Sequence, residues 1–219
     1  MTDQQIRVLL ADDHAAIRAG MRLMLEQAPD IVVVGEAADG AVAVRQATAL
    51  RPDVVLMDIR MPGTDGISAT RAITTAGLAD VLILTTFDFD DYLFGALRAG
   101  AAGFLLKSVE PVALIDAVRR VAAGDGFLAP EVTRRLLAAF VSAGSAPAAA
   151  PASPALDSLT DRERDVLAAL GRGLSNADLA AELAITEATA KTHVSRVLAK
   201  LGCSSRVQAA ILAKEAGLA

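Results

Sequence analysis

Five short apolar runs, at Ile6–Ala11, Ile31–Gly35, Val54–Met57, Val81–Leu84 and Gly103–Leu106, constrain what the first 125 residues can fold into. Each is rich in Val, Ile or Leu, each is bounded by polar breaks, and none alternates cleanly. A strand with one wet face alternates apolar and polar residues, so these strands are covered on both faces, as in a parallel sheet between helical layers. Helical spacing fills the gaps, as in Leu93 and Leu97, or Leu114, Val118 and Val121. Five strands alternating with five helices predict an α/β, flavodoxin-like (βα)5 domain with strand order 2-1-3-4-5.

The pattern changes after residue 125. Pro130–Phe140 reads as one more helix, opened by its proline. Ser142–Pro154 then sets three prolines among Ala, Ser and Gly without a large apolar residue, the composition of a flexible linker. From Leu156 onward every signal is helical. Thr160 with Glu163 forms a capping box, Ser175 and Thr186 cap two further helices, Gly202 stops the third, and a fourth runs from about Arg206 to Ala216. The expected division is 1–125, an α/β domain; 126–155, a helix and an Ala/Pro/Ser linker; and 156–219, a small all-α bundle.

Charge narrows the partners. Acidic residues outnumber basic ones 26 to 21, which excludes a wholly basic nucleic-acid coat. The excess lies in residues 1–156, with 18 acidic and 13 basic side chains; residues 157–219 carry 8 of each, so the bundle is the less hostile part toward polyanions. Cys203 is the only cysteine, which rules out an intrachain disulfide and suits a reducing compartment. No run reaches the roughly 18 apolar residues of a membrane span, and the polar start is not a signal peptide. A cytoplasmic protein without membrane contact is expected.

Chemistry gathers at the strand ends. Asp12 and Asp13 close the first strand, Asp58 the third, Thr85 and Thr86 the fourth, and Lys107 the fifth. In the order 2-1-3-4-5 these ends are neighbours and converge on one crevice. Three carboxylates together need a counter-charge, which a hard divalent cation such as Mg2+ supplies through oxygen ligands. Asp12, Asp13, Asp58 and the Arg60 backbone carbonyl form the expected metal set, with Lys107 as a phosphate binder. Such a site favours phosphoryl transfer onto Asp58, with Thr85 donating to a new phosphoryl oxygen. Taken singly, an Asp at a strand end is a turn or cap residue; four matches at successive ends are not explained that way.

The acid pair, the DIRMPG loop at 58–63, the LTT turn at 84–86 and the GAAGFLLK stretch at 100–107 resemble the receiver domain of bacterial two-component response regulators over residues 5–124. The resemblance implies phosphorylation of Asp58 by a sensor histidine kinase. It makes the chain a phosphoacceptor that assists its own phosphotransfer and dephosphorylation rather than an enzyme in the usual sense. Phe104 falls at the family's aromatic switch position, often tyrosine. Ser108 stands where many receivers have proline after the lysine.

In the bundle, two helices joined by a short Ala184-Ile185 turn fit a helix-turn-helix. The stripe Ala190–Leu201 faces inward, while Thr192, Ser195, Arg196 and Ala199 point away, flanked by Lys191 and Lys200. Glu187–Arg206 holds four basic residues and one acidic, a modest positive surface. Charge alone fits DNA binding or a helical dimerisation module. The strings LTDRERDVL, GLSNADLA and TEATAKTHVSRVLAKLG resemble the LuxR/NarL-type DNA-binding domain over about residues 156–219. The resemblance implies that Thr186–Leu201 enters the major groove of double-stranded DNA. Lys191, Thr192 and Ser195 then face bases, and Asn176, Thr189, Arg196 and Arg206 contact phosphates. Ala184 replaces a frequent glycine. In such proteins the receiver can mask the recognition helix, and phosphorylation leads to homodimers reading two-fold sites with half-sites about one helical turn apart. Two other readings stay open here: a phosphorylation-independent LuxR-type regulator, and a flavodoxin-like cofactor-binding enzyme with a helical interaction tail.

Overall fold

Each of the five apolar runs becomes a strand: β1 (Ile6–Ala11), β2 (Ile31–Ala37), β3 (Val54–Asp58), β4 (Asp80–Thr85) and β5 (Gly103–Leu106). The computed structural model describes residues 5–85, 90–128, 156 and 158–219; Thr86, Pro130–Phe140 and Ser142–Pro154 lie outside them. The strands pair in parallel in the order β2-β1-β3-β4-β5. β3 is buried at all five positions, which explains its unbroken apolar run and places Asp58 at the edge of the interior. Burial of such side chains contributes roughly 1.5–3 kcal/mol each.

The sheet has one strand more than the alternation predicts. β6 (Phe127–Leu128) adds in parallel beyond β5, past the expected boundary at residue 125. Two residues carry no periodic signal, and this strand exists through its partner. A Cβ on Gly103 would meet the Phe127 carbonyl oxygen at 2.4 Å, so only glycine admits it.

Helices α1 (Ala15–Leu25), α2 (Gly40–Leu50), α3 (Gly66–Thr75), α4 (Asp90–Arg98) and α5 (Pro111–Ala122) fill the gaps. α1 packs beside α5, and α2, α3 and α4 follow one another as a second set of neighbours. Asp39 caps α2 through the Val42 amide at 2.8 Å, and Asp65 caps α3 through the Ser68 amide at 2.7 Å.

The bundle comprises α6 (Asp161–Gly171), α7 (Asn176–Glu182), α8 (Glu187–Leu201) and α9 (Arg206–Glu215). The Thr160–Glu163 box forms, Ser175 and Thr186 cap α7 and α8, and Gly202 ends α8 at φ 65°. Val166, Leu167, Leu170, Leu179, Val194 and Val197 build a second core. Val207 and Ile211, four apart on α9, pack instead with the α/β core. Among the described residues no helix is long and apolar enough to cross a membrane.

Candidate functional site

The predicted strand ends do converge. Lys107, at the end of β5, sets its ammonium 2.7 Å from Asp12 Oδ2 and 2.8 Å from Asp58 Oδ2. Asp12 and Asp58 are 1% and 6% exposed, so one lysine bridges two carboxylates that water hardly reaches. Burial pushes the Asp58 carboxyl above its ordinary range, and the charge of Asp12 adds to that. The Lys107 ammonium and the Arg60 backbone N–H act in the opposite sense. Burial also works against the charged Lys107, but its two acid partners outweigh it and raise its pKa.

Asp13, which shares a cavity wall with Asp58, has a different partner. It bonds the exposed His14 ring at 2.7 Å, while the His14 amide donates to Asp12 Oδ1 at 2.8 Å. His14 is the N-cap residue of α1 without a side-chain cap, so its part in the fold is to begin that helix. Ligand atoms of Asp12, Asp13 and His14 lie within 4.8 Å of one another. The buried Asp12 Oδ2 meets Lys107 as an ion pair without a directed hydrogen bond and keeps capacity for a cation. The Asp12 and Asp13 carboxylates supply the oxygen ligands that a hard divalent ion takes; the third member of this cluster is the His14 imidazole, and Asp58 lies outside it. A cavity of about 460 Å³ opens there, lined by Asp13, Asp58, Arg60, Thr85, Tyr92 and Lys107. Thr85 lies on its wall, and the Thr85 carbonyl receives the Lys107 amide at 2.9 Å.

Two features escaped the sequence reading. Gly66 begins α3 directly against the Asp58 backbone: a Cβ there would meet the Asp58 carbonyl oxygen at 1.9 Å. Its amide donates to the Ile59 carbonyl at 2.9 Å, which closes the loop around Asp58. The Pro-Gly turn at 62–63 hinted at such a loop, but nothing local marks Gly66 as a contact. Tyr92 on α4 reaches the same cavity from an element with no strand-end signal. Phe104 is fully buried on β5, paired in register with Ile83. The Lys107–Ser108 peptide is trans, and no cis peptide occurs among the described residues.

The bundle presents a helix-turn-helix from α7 to α8. Ala184 adopts φ 54° in the turn, and Arg162 donates to the Leu183 carbonyl at 2.8 Å. Thr186, Thr189, Lys191, Thr192, Ser195 and Arg196 are all exposed. The Thr192 and Ser195 hydroxyls donate back to the Ala188 and Lys191 carbonyls at 2.9 and 3.0 Å.

Asn176 and Arg206 behave differently: they are buried, at 6% and 8% exposure, against the α/β domain. Arg206 donates to Asp125 Oδ1 at 2.6 Å and to the Gly124 carbonyl at 3.1 Å. Asn176 donates its backbone N–H to Asp125 at 2.9 Å and its side-chain amide to the Ala123 carbonyl at 3.1 Å. Gln208 reaches the Leu97 carbonyl at 2.8 Å. Lys191 and Ser195 line a cleft of about 140 Å³ between the domains. One edge of the α8 face expected to read DNA, at Lys191 and Ser195, thus borders the α/β domain, while Thr192 and Arg196 on the same face are exposed and do not line the cleft.

A bridged pair of buried acids on one domain and a helix-turn-helix on the other define, as a class, a signal-receiving regulator with a DNA-binding module. Residues 8–119 match the response regulator receiver domain, and residues 157–213 match the bacterial regulatory proteins of the luxR family. The chain belongs to the two-component response regulators with a LuxR-type DNA-binding domain. It is 41% identical over 210 residues to the transcriptional regulatory protein LiaR of Bacillus subtilis, covering 95% of this chain and 96% of LiaR. It is 37% identical over 205 residues to the nitrate/nitrite response regulator NarL of Escherichia coli, covering 93% of each. Among solved structures, the response regulator ChrA of a heme-sensing two-component system is 42% identical, with a TM-score of 0.55 over 99% of this chain and 100% of that one. These relatives are transcriptional regulators rather than classical enzymes, which leaves the flavodoxin-like enzyme reading without support.

Proposed function

We propose that the protein is switched by phosphorylation of Asp58 and that the phosphorylated form dimerises and binds promoter DNA. The carrying observation is the Lys107 ammonium held between Asp12 and Asp58 at 2.7 and 2.8 Å. The phosphodonor is a histidine phosphoramidate on a sensor kinase. An Asp58 carboxylate oxygen attacks phosphorus in line, the P–N bond breaks, and the imidazole leaves with its electron pair. Asp12, Asp13, Asp58 and the Arg60 carbonyl would hold Mg2+, which when bound neutralises phosphoryl oxygens. Lys107 pairs with another phosphoryl oxygen, moving part of its interaction from Asp58 to the phosphate. Thr85 donates its hydroxyl to a third, and the buried Phe104 beside β4 responds to the new position of Thr85.

On the output side, α8 enters the major groove with Lys191, Thr192 and Ser195 toward bases. Thr189 and Arg196 contact phosphates, and Asn176 and Arg206 join them once the domains part. A two-fold dimer reads two half-sites of one promoter. A reading in which DNA binding ignores phosphorylation has less support, because the Lys107 ammonium lies within 2.8 Å of both the Asp12 and Asp58 carboxylates, an arrangement such a regulator has no need of. Treatment with acetyl phosphate and Mg2+ should place one phosphoryl group on Asp58 by mass spectrometry, abolish it in Asp58→Asn, and convert monomer to dimer. Equal promoter affinity with and without the phosphoryl group would overturn the proposal.

A further inference from the structure

The contact between the domains is made by side chains that the DNA-binding reading needs for the phosphate backbone. Arg206 is fixed within its own domain by bonds to the Leu174 carbonyl and, at 3.0 Å, to Asn176 Oδ1. The same Nη1 that bonds Asn176 also donates across the interface, to the Gly124 carbonyl at 3.1 Å and to Asp125 Oδ1 at 2.6 Å, and Asp125 Oδ1 accepts the Asn176 backbone N–H as well. A single anionic oxygen accepting from a guanidinium and an amide is the contact a phosphodiester oxygen makes with the same groups. Lys191 adds to the likeness: it lines the same cleft as Asp80 and Asp125, and its charge acts on Asp80. The α/β domain thus sets acids opposite the cations of the bundle.

We propose that Arg206 and Asn176 form an anion site with two exclusive occupants, the Asp125 carboxylate in the closed chain and a DNA backbone phosphate in the open one. The inference rests on the DNA-binding reading and adds a mechanism to it: closure blocks DNA by occupying a phosphate site, beyond bordering one edge of α8. Polyanion and domain docking then compete for one guanidinium. Because the two events share a site, any change that empties it of Asp125 raises DNA affinity without phosphorylation.

The test uses the full-length, unphosphorylated chain and a fluorescent duplex of random sequence, read by anisotropy across a salt series. Small-angle scattering reports domain separation. Asp125→Ala should expand the particle and tighten DNA binding about tenfold, within the range usual for coupled sites. Asp116→Ala removes the same charge from an exposed position on α5 and should leave both readings unchanged. In the Asp125→Ala background, Arg206→Gln should weaken binding and lower the salt slope by about 0.9, the share of one phosphate. If Arg206→Gln lowers the helical content, Arg206→Lys replaces it. Keeping one charge without the fork, it should retain the slope and lose affinity.

Asp125→Ala within twofold of the parent, or a salt slope that ignores Arg206→Gln, overturns the shared site. If the parent treated with acetyl phosphate binds while Asp125→Ala gains nothing, only this inference fails. If neither the phosphorylated parent nor any variant binds, the DNA-binding reading itself has failed.

Discussion

At the scale of single residues, the site depends on contacts that chemistry names and on one that only packing explains. Asp12, Asp58, Thr85 and Lys107 were legible because each ends an apolar run, and the parallel order makes those ends neighbours. Gly66 was not legible, since its role is the absence of a side chain against a carbonyl from another element. Gly66→Ala must displace the Asp58 backbone or the start of α3, because 1.9 Å to a carbonyl oxygen is far inside contact distance. The expected cost is about 1–3 kcal/mol, as for an overpacked core. Thermal unfolding should report that loss, and phosphorylation by acetyl phosphate should slow, because Asp58 moves relative to Lys107. A variant with parental stability and rate would show that the loop yields freely.

At the scale of elements, caps and stops carried most of the information in the bundle. Thr160, Ser175, Thr186 and Gly202 each act where their residue types direct, since capping is local chemistry readable from a few neighbours. Ala184 is the exception that shows a cost: its φ of 54° is a left-handed conformation that its Cβ disfavours. Ala184→Gly should stabilise the bundle by about 0.5–1 kcal/mol, the left-handed strain relieved less the entropy glycine adds to the unfolded chain. Chemical denaturation with an unchanged m-value would measure it.

The start of α6 carries a pH dependence as well. The Lys200 ammonium, 2.6 Å from Glu163, and the Thr160 amide hold the Glu163 carboxyl down to about 2, from an ordinary 4.5. A lowered acid stabilises the fold above its unfolded pKa and loses that contribution as protons bind the folded state. Acid should therefore weaken the bundle progressively between about pH 4.5 and about pH 2. Glu163→Gln should flatten that part of a helical-content titration, and a titration unchanged by the substitution would remove Glu163 from the account.

At the scale of the whole molecule, the arrangement of the two domains was the least legible feature. Its contacts join residues far apart in the chain, such as Arg206 with Asp125 and Gln208 with Leu97, and periodicity carries no information over such separations. Val207 and Ile211 stand four apart on α9, the spacing of a helical stripe, but their partner is the α/β core. One face of α9 thus belongs to each core: Ala209 and Ala213 pack inward, Val207 outward. Val207→Ser replaces an apolar contact across the interface by a hydroxyl that prefers water, while the inward face of α9 is left intact. The domains should separate, seen as a larger radius of gyration, with the helical content of the bundle unchanged. The α/β domain loses apolar cover, so its unfolding midpoint should fall by a few degrees, about 2–4 °C for each kcal/mol at this chain length. A variant that stays closed with both midpoints unaltered would show that the polar contacts around Arg206 hold the interface without Val207.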